Sequence, residues 1–230
     1  MDVTFPPDRF PGCLERAEPF GKLFAKASDN IEIVPEREWP ELQRAINEGR
    51  GLRPFIPEVL DQDGAGSCAT ESTAMAVMSN RVTRGLPHVL LNPWFIYYHT
   101  GGKSDFGNGR GGGSSIDTNL KFAMDNGIAP MSKWPRSRGW RTKPSQEAYD
   151  AALEFRIKEV YDIENYIEAG SALVKGFGIV YGARGHSVFK IALNMDVNSW
   201  GSNWKDGGFG EWASLRNIDF RYGAFAVRVA

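Results

Sequence analysis

"DQDGAGSCATESTAMAVMSNRVTRG", residues 61–85, sets a glutamine and a glycine-rich turn directly before a cysteine, and the cysteine directly before a helix. Ala74, Met75, Met78 and Val82 recur at helical spacing, Ser67 is positioned to cap, and Gly85 marks the stop. Cys68 is thereby predicted in the first turn of a helix. Three readings of it are open at this point: a small core residue, half of a bridge with Cys13, which is the other cysteine of the chain, or a reactive thiol.

Outward from this stretch, helical signals fill the first half. "EWPELQRAINEG" places Trp39, Leu42 and Ile46 on one face, and "LNPWFIYYH" opens with Asn92 as cap and Pro93 at the first helical position. "TGGKSDFGNGRGGGSS", residues 100–115, reads as loop. It is followed by "SIDTNLKFAMDNG", a helix with Ile116, Leu120, Ala123 and Met124 inward and Gly127 ending it. The second half changes to short runs rich in β-branched and aromatic residues, "FGIVYGA", "HSVFKIAL", "FGEWASL" and "GAFAVRVA", which predict antiparallel strands. A helical half followed by a stranded half argues for an α+β protein of two lobes.

The balance of 27 Lys+Arg against 28 Asp+Glu leaves no net field to recruit nucleic acid or an anionic membrane. The opening residues lack the basic start and apolar run of a secretory signal, and no stretch reaches membrane-spanning length. Two cysteines do not make a disulfide-stapled domain, so a cytoplasmic or other reducing compartment is expected. No metal or cofactor is expected. His88 and His99 lack metal-ligand spacing, and the G-x-G-x-x-G formed by Gly107, Gly109 and Gly112 neither follows a predicted strand nor precedes an acidic residue at the distance a dinucleotide site requires.

His186 stands apart, because "RGHSVFKIAL" puts it at the start of an apolar strand, where an imidazole points in a set direction. Twelve residues on, Asn198 opens "NSWGSNWKDGGFG". Thiol catalysis asks for such a set. A helix N-terminus and a neighbouring imidazolium both stabilise a thiolate. Asn198 would hold the imidazole tautomer without adding charge, Trp200 would shield that bond from water, and Gln62 would aim its NH2 beside the Cys68 backbone N–H, where an oxyanion develops.

These motifs resemble those of the papain-like cysteine peptidases. "DQDGAGSCATES" is similar to the nucleophile segment, "GGGSSIDTNLKFAMDNGIAPMSKWP" to the glycine-pair loop and following helix, "GHSV" to the histidine strand, and "NSWGSNWKDGGFG" to the asparagine motif. The resemblance runs from about residue 52 to the C-terminus. It implies a papain-like two-lobe fold, with a helical lobe over about 60–160 carrying the nucleophile and an antiparallel β lobe over about 161–230 carrying His and Asn. It further implies Cys68 as nucleophile, His186 as general base and acid, Asn198 as orienter, Gln62 in the oxyanion hole, and Gly112 and Gly113 pairing with an extended polypeptide substrate.

The departures are specific. Ala65 and Ala69 stand where the family has a bridging cysteine and an aromatic residue, so the nucleophile turn is expected to be held by packing alone. His186 follows Cys68 by 118 positions, short of the roughly 130 to 150 usual for the family, so the β lobe reads as trimmed. Residues 1–51 form an N-terminal extension, either a short propeptide or a packing segment. Two alternatives to a cysteine endopeptidase stay open: a peptidoglycan amidase or endopeptidase with the same triad, and a non-catalytic structural module, for example of a phage particle, which would be virion-associated.

Overall fold

The computed structural model describes residues 5, 10–101, 109 and 111–229. Its elements in chain order are β1 (Cys13–Leu14), β2 (Ala25–Lys26), α1 (Ala27–Asn30), α2 (Trp39–Ala45), α3 (Cys68–Thr83) and α4 (Pro93–Thr100). They continue with β3 (Ser114–Ser115), α5 (Ile116–Asn126), α6 (Gln146–Ala152), β4 (Ile157–Asp162) and α7 (Tyr166–Val174). The C-terminal strands are β5 (Ile179–Ala183), β6 (His186–Ala192), β7 (Met195–Val197), β8 (Phe209–Gly210) and β9 (Ala224–Val229).

Among the described residues, seven strands form one sheet in the order β2-β4-β9-β5-β6-β7-β8, antiparallel except for the β2–β4 pair. Side chains alternate across its two faces. Val180, Phe189, Ile191, Phe225 and Val227 face α3 and α5, while Ile179, Tyr181, Val188, Ala224 and Ala226 face a second core built with α7, Trp39, Trp200 and Trp212. This double burial explains why β5 and β6 read as continuous apolar runs. The buried Lys190 on β6 is paired with the equally buried Asp196 of β7 at 3.2 Å.

The predicted helices of the first half are present, and their signals operate as expected. Asn92 Oδ1 accepts from the Trp94 amide at 3.0 Å with Pro93 at the first turn, and Gly127, at φ 76°, ends α5. Two details differ. α3 is buried on almost every side, from Cys68 through Ser79, because it lies between the sheet and α4 and α5. Three of its small polar residues are satisfied within the helix: Thr70, Ser72 and Thr73 each donate a hydroxyl to a carbonyl of the preceding turn. Ser67 does not cap with its side chain, which donates to Glu71 Oε1 at 3.0 Å. "FGEWASL" forms only the two-residue β8 before turning, since Trp212 is drawn off the strand line into the aromatic core. Strand β4 and helix α7 carry weaker local patterns and were not anticipated. The glycine-rich reading over 100–115 falls partly outside the described residues, Gly107 included; its end is the short strand β3.

Gly127 tests the junction between α5 and α6. A Cβ there would meet the Ala152 carbonyl oxygen at 1.8 Å, and its φ and ψ of 76° and −168° belong to a region that L residues avoid. Gly127→Ala is expected to lower the unfolding free energy by about 2 kcal/mol or more, read as a shift in urea midpoint at unchanged slope.

Candidate functional site

Cys68 is the first residue of α3 and is fully buried. Three backbone amides point at its sulfur, those of Ser187, Gly12 and Ala69. Burial pushes the thiol up to about 11, and these three donors pull the other way because each favours the thiolate. The helix start thus supplies one donor, the second residue of β6 another, and the N-terminal segment a third.

His186 is set by a two-residue hairpin. Ala183 pairs with His186 across Arg184 and Gly185, both at positive φ (58° and 73°), the turn geometry that matches strand twist. The imidazole Nε2 meets Asn198 Oδ1 at 2.7 Å, so this nitrogen carries the proton and the amide oxygen accepts. The other ring nitrogen, Nδ1, is buried without a hydrogen-bond partner. Burial lowers the imidazole to about 4, with the Asn198 bond opposing. The Trp200 ring lies 4.8 Å away at 33°, and Trp212 closes another side at 5.1 Å edge-on. Trp212 was not singled out in the sequence; its signal was a lone tryptophan in an alternating run.

Gln62 is oriented from the asparagine motif. Its backbone amide donates to the Ser199 carbonyl at 2.9 Å, and the Ser199 hydroxyl donates to Gln62 Oε1 at 3.0 Å. With that oxygen taken, the NH2 is directed to the Ala65 carbonyl at 2.6 Å and the Phe10 carbonyl at 3.2 Å. Ser199, another residue the sequence reading passed over, is what fixes the amide orientation. Gly112 donates to the Gly101 carbonyl at 3.1 Å, and Gly113, at φ 71°, donates to the Tyr97 hydroxyl at 3.3 Å. Asn198 and Trp200 thus gather on His186, Gln62 on the adjacent Ser199, and Cys68 on Ser187, while Gly113 borders the same groove at Gly12.

A stretch of the chain itself lies in that groove. Phe10 gives its carbonyl to Gln62, Gly12 gives its amide to the Cys68 sulfur, and Gly12 O accepts from the Ser114 amide at 2.9 Å. Cys13–Leu14 then pair in parallel with Ser114–Ser115, and the Cys13 amide donates to the Gly185 carbonyl at 3.0 Å. Phe5 packs edge-on against His186, Trp200 and Trp212, each at 5.8 Å. Beyond the groove two buried carboxylates hold the chain. Asp117 accepts from the Ala17 and Glu18 amides, and Asp162 from the Gly21 amide and the Arg16 guanidinium. No side chain is tolerated at residue 12, where a Cβ would meet the Gly66 carbonyl oxygen at 2.1 Å.

The nucleophile turn is not held by packing alone, as the missing bridge had suggested. The buried Glu71, one turn into α3, pairs with Arg136, whose guanidinium also holds the Asp61 carbonyl and reaches Asp63 Oδ2 at 3.2 Å. Arg136 lies over the Trp94 ring at 4.7 Å, and Trp94 Nε1 donates to Ser67 Oγ at 3.3 Å. Burial raises the Glu71 carboxyl to about 7 against the pull of Arg136. Both ends of the 61–67 turn are thereby tied to α3 by ionic and hydrogen-bond contacts. His99 bonds Tyr149 at 2.9 Å within an aromatic cluster, and the described residues contain no group of three or more His, Cys, Asp or Glu that could hold a metal ion. Among the described residues no helix is long and apolar enough to cross a membrane.

No protein-family model matches the sequence, and no curated protein matches it. Solved structures do. Xylellain, a cysteine protease from Xylella fastidiosa, is similar over 99% of this chain and 100% of that chain, at 18% identity and a TM-score of 0.66. The digestive procathepsin L2 proteinase from Tenebrio molitor larval midgut matches over 96% of this chain and 79% of that chain, at 13% identity and TM-score 0.63. A recombinant stem bromelain precursor matches over 89% and 76%, at 14% identity and TM-score 0.61. With a helical layer presenting Cys68 to a sheet that presents His186, and with these likenesses spanning nearly the whole chain, the protein has the α+β two-lobe fold of the papain-like cysteine proteases, in a form divergent in sequence.

Proposed function

We propose that this chain is a cysteine endopeptidase, with Cys68 as nucleophile, His186 as base and acid, Asn198 as orienter and Gln62 as oxyanion donor, held latent by its own N-terminal segment. The observation that carries the reading is the His186–Asn198 bond at 2.7 Å, which fixes the imidazole tautomer and leaves Nδ1 without a hydrogen-bond partner. The sulfur already receives the amide of Ser187, the residue next to the imidazole.

In the occupied groove both partners are neutral at pH 7, since burial holds the thiol up at about 11 and the imidazole down at about 4. Withdrawal of residues 10–14 readmits water, removes the cause of both shifts, and favours transfer of the Cys68 proton to His186 Nδ1. The thiolate then attacks the carbonyl carbon of a bound peptide. The developing oxyanion takes hydrogen bonds from Gln62 Nε2 and the Cys68 N–H, and His186 returns the proton to the leaving amine. Water, deprotonated by His186, hydrolyses the thioester. The Phe10 carbonyl and the Gly12 amide occupy the oxyanion donor and the sulfur, so the segment blocks the reaction at its two essential contacts.

Three outcomes are expected. Cys68→Ala abolishes cleavage of an unfolded protein. Gly12→Val in the full chain, by forcing a Cβ onto the Gly66 carbonyl, dislodges the segment and raises turnover by about tenfold or more, the equivalent of about 1.4 kcal/mol. A Gly12→Val protein that leaves every peptide intact and clears a peptidoglycan zymogram would move the assignment to a cell-wall hydrolase. One that does neither, with the groove open, would favour a structural module.

The third outcome concerns pH. His186 has a folded value near 4 against an ordinary 6.5, so the unfolded chain binds the extra proton; its contribution is present above pH 6.5 and is lost as pH falls toward 4. Glu71, near 7 against 4.5, acts in the opposite sense and removes stability as pH rises through that window. The two slopes oppose each other in the parent. His186→Gln removes one of them, so its melting temperature is expected to fall between pH 4.5 and 7 more steeply than the parent's, as read by scanning calorimetry.

A further inference from the structure

The second cysteine takes no part in that mechanism, yet the fold brings it to the same place. Cys13 is carried into the groove by the N-terminal segment and is buried with a free thiol, as is Cys68. Their positions can be read off one rung of the sheet. Gly182 of β5 lies directly opposite Ser187 of β6, and opposed residues point to the same face. That face is the one toward α3, because Ser187 Oγ meets Ser72 Oγ at 2.7 Å. A Cβ built on Gly182 would sit 3.2 Å from Cys13 Sγ, so the Cys13 sulfur rests against the α3 side of this rung. Cys68 stands one helical turn before Ser72, with its sulfur at the Ser187 amide and the Gly12 amide. The two thiols are thus both buried on the same face of one rung, Cys13 against Gly182 and Cys68 against Ser187. A methyl group would fill the space at residue 13 equally well, whereas a thiol adds chemistry.

We infer that Cys13 and Cys68 form a reversible intramolecular disulfide that locks the segment in the groove and withdraws the nucleophile. This rests on the reading of Cys68 as that nucleophile. The oxidant is a small-molecule disulfide of the glutathione type, and the electrons balance in two exchanges. In a transient opening of the segment, one cysteine attacks the oxidised glutathione, forming a mixed disulfide and releasing one glutathione thiol. When the segment redocks, the second cysteine attacks the protein sulfur of that mixed disulfide, forming the Cys13–Cys68 bond and releasing the second glutathione thiol. The two protein thiols have together given up two electrons and two protons, and the glutathione disulfide has been reduced to two thiols. A dithiol reverses both steps. Because each buried thiol is held in its protonated form, exchange proceeds through the open fraction, and the closed groove shields the finished bond from reductant.

The test uses the unaltered full chain, incubated with oxidised glutathione at pH 8 and then digested without reduction. The expected product is one linked peptide pair containing residues 13 and 68, formed within a single chain. Thiol-probe labelling falls by at least about tenfold and returns on treatment with dithiothreitol. The Cys13→Ser protein is expected to yield no link and to carry glutathione on Cys68 instead. Separate glutathione adducts on both cysteines, links between chains, or linking at an equal rate in 8 M urea would overturn the inference. The link depends only on the proximity of the two thiols. A protein that forms it but cleaves nothing after reduction and opening refutes the peptidase reading alone, whereas an active protein that never forms it refutes the link alone.

Discussion

The seating of the start of α3 on the start of β6 is the contact on which everything else depends. The Ser72–Ser187 hydroxyl pair and the Ser187 amide on the Cys68 sulfur join the helical layer to the sheet next to the residue that carries the imidazole. The surroundings serve to hold that point still. Trp200 and Trp212 wall the imidazole, Ser199 fixes Gln62, and Arg136 with Glu71 ties the turn before the cysteine to the helix after it. An isolated surface ion pair would contribute little, but Glu71 is fully buried and its partner also holds the Asp61 carbonyl, so removing one member would strand a buried group.

Burial also sets the protonation of the closed site, holding the Cys68 thiol up and the His186 imidazole down. In the proposed function the same residues host two protonation states, one neutral when residues 10–14 exclude water and one charged when they leave. Only the dielectric surroundings differ. The segment is integrated rather than loosely attached: Asp117 and Asp162 receive its amides, and β2, shortly after it, adds to the edge of the main sheet beside β4.

Much of the placement of the candidate site residues was legible from residue types and spacing. Cys68 at a helix start, His186 at a strand start behind a two-residue turn, and Asn198 in a glycine- and tryptophan-rich loop each carried a local signal, because caps, hairpin turns and alternation are encoded within a few residues. Ser199 and Trp212 were missed because their roles arise only when β7 and the loop after it fold back on Gln62 and His186. Arg136 was missed for a related reason, since it lies 65 residues from Glu71 and nothing in either neighbourhood announces the other. β4 and α7 escaped because their apolar patterns are short and gain their burial from β9 and α2.

The sequence by itself determined the chemistry available and the kinds of element that present it, through composition, periodicity and turn residues. Only the tertiary structure decided what occupies the groove. Whether Phe10, Gly12 and Cys13 lie against Gln62 and Cys68 depends on long-range register, on the absence of a side chain at Gly12, Gly113 and Gly182, and on two carboxylates more than ninety residues away. Such contacts follow from loop closure and packing of the whole chain, which no local pattern records.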